Sequence, residues 1–171
     1  MANEAGAHIQ EQTNSIIGTS NDVVDITIPS NHVFERIARD GAGLVARYLG
    51  FSDERAQDVQ LAVSEAVTNA IEHGNKEDAN VKVGVRFLVL KDKLAIQVID
   101  QGEGLPADRI NAAKPSIESK LAQEEESPRG LGIYLIQQLV DAVELQTNES
   151  GTSFTMWFNL GAAAQQERAE A

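Results

Sequence analysis

The sequence has no cysteine, few basic residues and no long apolar run. Without cysteine, disulfide bonds, thiolate metal ligands and thiol chemistry are excluded. The 14 basic and 26 acidic residues give a formal net charge of −12, which argues against a nucleic-acid-binding surface because phosphate contacts need clustered lysine and arginine. No segment approaches the roughly 20 apolar residues of a membrane span, and no signal-peptide pattern opens the chain. These absences predict a soluble, cytoplasmic protein without nucleic-acid or membrane partners.

Two common phosphate-binding motifs are also missing. No Gly-Lys-Ser/Thr sequence occurs, which excludes a Walker loop. No third glycine follows Gly102 and Gly104 to open a helix, so the dinucleotide-binding fingerprint of a Rossmann fold is incomplete.

Length and composition predict one domain. A chain of 171 residues can bury one sizeable core but not two. Residues 1–21 are polar without periodicity and residues 161–171 are mostly Ala, Gln and Glu, so we expect flexible tails around a domain at 22–160. Within it, the polar span 105–129 contains three prolines and is long for a loop, which predicts a lid over a ligand.

Hydrophobic periodicity predicts an α+β fold. Alternation from Val24 to Ile28 predicts a strand, and apolar residues at helical spacings, including Val33, Ile37 and Leu44, predict the helix that follows. The predicted elements after this strand are a helix from Asn31 towards Tyr48, a helix from Ser52 to His73, strands at Val81–Leu90 and Leu94–Asp100, a helix at Gly130–Val140, and strands at Ala142–Gln146 and Ser153–Leu160. This order predicts a two-layer α/β sandwich, in which helices cover one face of a mixed, mostly antiparallel sheet.

Three polar residues lie on one stripe of the second predicted helix. Glu65, Asn69 and His73 are spaced i, i+4 and i+8. An amide oxygen such as that of Asn69 suits Mg²⁺, and a carboxylate one turn away can accept a proton from a hydroxyl. The alternative is an ordinary solvated helix edge.

Three other segments contain glycine at the ends of predicted elements: one ends a strand, one begins the third helix, and one precedes the last strand. Asp100 to Gly104 ends a strand, where a carboxylate can accept a hydrogen bond from an amine such as adenine N6. Arg129 to Ile133 begins a helix, whose free N–H groups favour phosphate. Thr152, after Gly151, can reach a purine through its hydroxyl. Each segment taken alone also fits an ordinary turn or helix entry.

Taken in this order, these segments resemble the nucleotide-binding boxes of the Bergerat-fold ATPases, the superfamily of gyrase, heat-shock chaperones and histidine kinases. Glu65 to Gly74 resembles the N box, Asp100 to Gly104 the G1 box, Arg129 to Ile133 the G2 box, and Gly151-Thr152 the terminal element. The resemblance covers about residues 23–160. The motifs LAVSEAVTNAIEHG and GLGIYLIQQLVD are most similar to those of the anti-sigma-factor serine kinases.

That resemblance implies ATP and Mg²⁺ as ligands and a serine/threonine kinase activity. It implies that Glu65 is the catalytic base, that Asn69 binds Mg²⁺, and that Asp100 reads adenine with help from Thr152. The other implied cofactor-binding residues are His73, Gly102, Gly104, Arg129, Gly130, Leu131, Gly132 and Ile133. The implied partners are a sigma factor, a STAS-domain anti-anti-sigma protein and a second copy of the chain.

Other readings of the same motifs remain open. A nucleotide-dependent binding switch without catalysis would use the same pocket, although it would need no base such as Glu65. A stress-signalling switch kinase of this fold would have nearly the same sequence. The catalytic fragment of a sensor histidine kinase would need an upstream hairpin with a phosphoacceptor histidine, and a gyrase-like ATPase would need a transducer domain.

Overall fold

The computed structural model describes residues 22–102, 131–148 and 150–161. The predicted lid, the predicted N-terminal tail and residues 162–171 of the predicted C-terminal tail lie outside these residues. The elements in the described ranges are β1 (Asp22–Pro29), α1 (Glu35–Tyr48), α2 (Asp53–Asn69), β2 (Lys82–Val89), β3 (Lys93–Asp100), α3 (Leu131–Leu139), β4 (Ala142–Asn148) and β5 (Gly151–Asn159). None of the helices in this part of the chain is both long and apolar enough to span a membrane.

The strands form a five-stranded sheet in the order β1-β2-β3-β5-β4. Every pairing among the described strands is antiparallel, so the predicted α+β class is confirmed, while the parallel component expected of a mixed sheet is not found among them. The pairs β2–β3 and β4–β5 join strands that are consecutive in the sequence, which makes them antiparallel hairpins. The register of β3 and β5 sets Asp100 directly opposite Thr152.

Helix α2 packs against α1, α3 and the sheet, and its sequence explains both its start and its buried face. The Ser52 hydroxyl accepts a hydrogen bond from the Arg55 N–H at 3.2 Å, as the predicted N-cap requires. The buried face consists of small and β-branched residues at helical spacing, as predicted: Val59, Ala62, Val63, Ala66 and Val67.

Helix α1 buries a different face from the one its larger apolar residues mark. Leu44 and Ile37 are 71% and 52% exposed, and Val33, in the short 3-10 turn before the helix, is 73% exposed. The buried positions of this helix are mostly small: Glu35, Ala38, Ala42, Gly43 and Ala46. Small side chains let two helix backbones approach closely, which explains why alanine rather than leucine faces α2.

The second predicted helix changes geometry at Ala70. Residues Ala70–Gly74 form a π-helical turn, and the Asn75 N–H donates to the Ala70 carbonyl at 2.8 Å. The helix predicted to reach His73 is therefore α-helical only to Asn69. Lys76 and Glu77 then adopt left-handed backbone angles, with φ of 53° and 60°. The wider turn rotates the residues after Asn69 out of the regular α-helical stripe.

Arg55 joins the start of α2 to the end of α3. Its guanidinium donates to the Leu139 carbonyl at 2.6 Å and to an Asp141 carboxylate oxygen at 2.8 Å. It also lies over the Phe158 ring, 5.5 Å from the ring centre. These contacts fix the C-terminal end of α3 against α2 and β5, and the N-terminal end of α3 borders the site described next.

Candidate functional site

A pocket lies between α2, the π-helical turn, α3 and the ends of β3 and β5. Five residues predicted from the sequence line it: Asn69, His73, Asp100, Ile133 and Thr152. They come from four separate parts of the chain. The fold therefore brings the predicted motifs together around one pocket.

Asp100 lies at the end of β3, where the sheet stops and the pocket begins. Its Oδ1 accepts a hydrogen bond from the Gly102 N–H at 2.8 Å, which fixes the carboxylate relative to the turn. Burial raises the pKa of Asp100, and the rise is opposed by the N–H groups of Gly102 and Thr152 and by the Thr152 hydroxyl. A partly desolvated acceptor of this kind suits a hydrogen-bond donor on a flat ligand.

Thr152 faces Asp100 across the β3–β5 ladder and is 3% exposed. Its Oγ1 is buried and forms no hydrogen bond of regular geometry with the residues that the structure describes, although it lies close enough to the Asp100 carboxylate to oppose the rise in that pKa. A buried hydroxyl without a partner is uncommon, because leaving it unsatisfied costs about 1–3 kcal/mol. This oxygen lies beside Asp100 and lines the same pocket, so it is a second polar group available to a ligand.

Close backbone approach defines the floor beside Asp100. A Cβ added to Gly74 would overlap the Asp100 carboxyl group, and one added to Gly102 would overlap the Gly74 carbonyl. The predicted residue Gly102 thus packs against the π-helical turn, and its N–H donates to Asp100. Gly74, although part of the N-box segment, was not among the predicted site residues.

Glu65 does not line the pocket but lies beside its edge, one helical turn before Asn69. A Cβ added to Gly132 would lie 2.9 Å from Glu65 Oε2 and 3.4 Å from Asn69 Nδ2. The first turn of α3 therefore packs directly against these two side chains. Burial raises the pKa of Glu65, and the negative charges of Glu72 and Glu35 raise it further. A carboxylate with a raised pKa is a stronger general base.

The apolar walls of the pocket are the part that the sequence motifs missed. The residues not predicted are Ala66, Ala70, Gly74, Val98, Ile136 and Phe154. Most lie two residues along a strand, or one helical turn, from a predicted residue: Val98 precedes Asp100 by two, and Ile136 follows Ile133 by three. The two-residue period of a strand and the three- to four-residue period of a helix therefore indicate these wall residues once the motif residues are known.

Some predicted site residues lie outside the described part of the chain. These are Gly104, Arg129 and Gly130. Leu131 begins α3, and its side chain is also outside the described part. Their predicted roles stay predictions.

Comparison with known proteins gives consistent matches. Residues 30–158 match the family model of the histidine kinase-like ATPase domain. The serine-protein kinase RsbW of Bacillus subtilis is 33% identical over 135 residues, covering 79% of this chain and 84% of that protein. RsbW of Listeria monocytogenes serotype 4a is 31% identical over 143 residues, covering 82% and 88%.

Two solved structures share the fold. The RsbU and RsbW domains of Rv1364c from Mycobacterium tuberculosis align with a TM-score of 0.58 and 20% identity, covering 82% of this chain but only 33% of that one. The SiaB–SiaC complex from Pseudomonas aeruginosa aligns with a TM-score of 0.59 and 14% identity, covering 92% of this chain and 100% of the matched chain.

Proposed function

This chain belongs to the histidine kinase-like ATPase domain family, and from that premise we propose that it is an ATP-dependent serine/threonine protein kinase. We propose that it acts as an anti-sigma factor, which binds a sigma factor and phosphorylates a STAS-domain anti-anti-sigma protein. The relatives named serine-protein kinase support the reaction class. The observation that carries the proposal is the convergence of Asn69, Asp100 and Thr152 on one pocket, with Glu65 at its edge.

We propose that the pocket binds the adenine ring of ATP. Its walls include Val98, Ile133 and Phe154, which suit the apolar faces of a flat base. Asp100 supplies an acceptor for the exocyclic amine, and the buried Thr152 Oγ1 supplies a second polar contact. The apolar walls and the two polar groups together support adenine as the ligand.

The triphosphate end of the site lies towards Asn69 and the start of α3. Asn69 offers the hard amide oxygen that Mg²⁺ accepts in addition to water and phosphate oxygens. When bound, MgATP supplies the phosphoryl group, and the metal ion neutralises part of its charge. The N–H groups at the start of α3, next to Gly132, favour an anion in the same place.

We propose Glu65 as the catalytic base. It lies one turn from Asn69, and Gly132 packs against its carboxylate. We propose that Glu65 accepts the proton of a seryl hydroxyl while that oxygen forms its bond to phosphorus and the bond to the ADP oxygen breaks. The raised pKa of Glu65, caused first by burial, makes the carboxylate a better proton acceptor.

The proposed partners follow the same reasoning. A net charge of −12 favours a partner surface with basic residues and disfavours nucleic acid. A homodimer is part of the proposal, as the family resemblance implies.

The test combines nucleotide binding with phosphate transfer. We expect wild type to bind ATP in the presence of Mg²⁺ and to label a serine of a STAS-domain protein. Asp100→Asn should weaken ATP binding about 10- to 100-fold, since it alters a hydrogen bond to a charged group. Exposed Asp92 offers the matched control, Asp92→Asn.

Loss of catalysis should separate from loss of binding. Glu65→Gln should lower the transfer rate about 10²- to 10⁴-fold while ATP binding persists. Asn69→Ala should raise the Mg²⁺ concentration that ATP binding and transfer require. Glu54→Gln, at the exposed start of α2, is the control. Binding without labelling of any STAS-domain protein would favour the non-catalytic switch, and unchanged transfer by both variants would overturn the assigned roles.

A further inference from the structure

Asn75 follows the π-helical turn and is 6% exposed, yet it does not line the pocket. Its side chain makes three hydrogen bonds, which use both amide N–H donors and one lone pair of the oxygen. Its Nδ2 donates to Ser30 Oγ at 2.8 Å and to the Lys82 carbonyl at 3.1 Å. Its Oδ1 accepts from the Gln101 N–H at 2.8 Å. One buried side chain thus connects the end of β1, the start of β2 and the turn after β3.

The partners of Asn75 determine which way its amide points. The Lys82 carbonyl can only accept a hydrogen bond, and the Gln101 N–H can only donate one. The opposite orientation would set an amide N–H₂ against an N–H and an oxygen against a carbonyl. The oxygen of Asn75 is therefore committed to Gln101.

Gln101 is the residue between Asp100 and Gly102. The Gly102 N–H donates to Asp100 Oδ1 at 2.8 Å, so the turn that Asn75 holds is the turn that orients the Asp100 carboxylate. On the other side, a Cβ at Gly74 would overlap the Asp100 carboxyl group. The carboxylate is consequently fixed from its own turn and from the π-helical turn, and both are tied to Asn75.

We infer that Asn75 is a positioning residue that sets the adenine selectivity of the site by holding the Asp100–Gly102 turn. The inference rests on the proposed function, in which Asp100 reads the exocyclic amine of adenine. A site arranged to bond a donor group rejects an analogue that lacks it, provided that the acceptor stays in place. Without the hydrogen bond that the Gln101 N–H donates to Asn75 Oδ1, Asp100 should discriminate less strongly between adenine and a purine that lacks the exocyclic amine.

The experiment compares the dissociation constants of ATP and ITP, since inosine lacks the exocyclic amine. We expect Asn75→Ala to weaken ATP binding about tenfold, the usual effect of one buried hydrogen bond, and to leave ITP binding nearly unchanged. The preference for ATP, which is the Kd of ITP divided by the Kd of ATP and is called the ATP/ITP ratio below, then falls by the same factor. The rate of phosphate transfer at saturating ATP should stay within about threefold of wild type, because the change affects the adenine end of the site and not the phosphates.

Two other variants separate positioning from general support of the fold. Ser30→Ala breaks the Asn75 contact to β1 but leaves the bond to Gln101, so it should lower stability without changing the ATP/ITP ratio. Asn75→Asp keeps an acceptor for the Gln101 N–H but loses both donors, so it should retain most of the ratio. Asn80→Ala, at an exposed asparagine of the same loop, is the matched control.

Amide exchange gives a readout that needs no nucleotide. The Gln101 amide should exchange at least tenfold faster in Asn75→Ala than in Ser30→Ala or Asn75→Asp. The inference is overturned if the Gln101 amide keeps its protection in Asn75→Ala, or if Ser30→Ala lowers the ATP/ITP ratio equally. If wild type binds no ATP, the proposed function fails, and the exchange experiment still decides whether Asn75 holds the turn. If Asn75→Ala does not fold, loss of the ratio in the folded Asn75→Asp variant would overturn the inference.

Discussion

Adding one methyl group at Gly132 should separate catalysis from folding. A Cβ at this position would lie 2.9 Å from Glu65 Oε2, which is closer than a carbon and a carboxylate oxygen normally approach. The neighbouring Asn69 Nδ2 would be 3.4 Å away and is hardly disturbed. Since Oε2 is the far end of a flexible side chain, we expect Gly132→Ala to displace the Glu65 carboxylate by several tenths of an ångström and to leave the backbone in place.

Gly132→Ala should have two opposing effects on the free energy of unfolding that nearly cancel, but its effect on the rate of transfer has no such compensation. Replacing glycine by alanine inside a helix gains about 0.5–1 kcal/mol, and forcing Glu65 off its rotamer costs about 0.5–1.5 kcal/mol. The free energy of unfolding should therefore change by less than about 1 kcal/mol. Displacing a catalytic group by up to 1 Å costs as much as 10²-fold in rate, so we expect the transfer rate at saturating ATP to fall about 10- to 100-fold.

The assay is single-turnover phosphate transfer at saturating ATP, with urea unfolding on the same samples. A double-mutant cycle supplies the control: on top of Glu65→Gln, the Gly132→Ala change should have almost no further effect on the rate, because the base is already lost. If Gly132→Ala weakened only ATP binding and left the saturated rate within twofold, this glycine would serve the phosphates and the reasoning about Glu65 would be refuted.

Two further predictions concern the turn before β5 and the charge around the base. Gly151 has φ of 139°, and a Cβ there would overlap the Asp100 carbonyl. Gly151→Ala should therefore lower the free energy of unfolding, measured by urea titration, by roughly 2–4 kcal/mol. Gly161 lies in open space, so the control Gly161→Ala should change that free energy by less than about 0.5 kcal/mol. Burial and then the negative charge of Glu72 raise the pKa of Glu65. Glu72→Gln should therefore lower the pKa of Glu65 and move the acidic limb of the pH profile of kcat/KM to lower pH. An acidic limb that does not move would contradict the assignment of Glu65 as the base.

Local signals in the sequence predicted most elements. Asn31 caps the short 3-10 turn before α1, with its Oδ1 accepting from the Val33 N–H at 3.0 Å, and Ser52 caps α2. The hairpin strands were predicted to within two residues at each end, because alternation and turn residues depend only on neighbouring positions.

Features that depend on distant contacts could not be predicted in the same way. Insertion of β5 between β3 and β4 depends on the pairing of strands that are far apart in the sequence. The buried face of α1 depends on how closely it approaches α2, and composition alone favours the larger residues. The role of Asn75 also depends on distant contacts, because its three side-chain partners come from separate segments.

The contacts of Arg55 bear on the order in which the chain folds. Its bonds to Leu139 and Asp141 join residues that are 84 and 86 positions apart. Closing a loop of that length is opposed by chain entropy, so we expect such contacts to form late, after the local helices and hairpins. Interactions absent from the folding transition state govern the rate of unfolding. Arg55 should therefore act mainly on the lifetime of the folded domain, with little influence on how quickly the domain first forms.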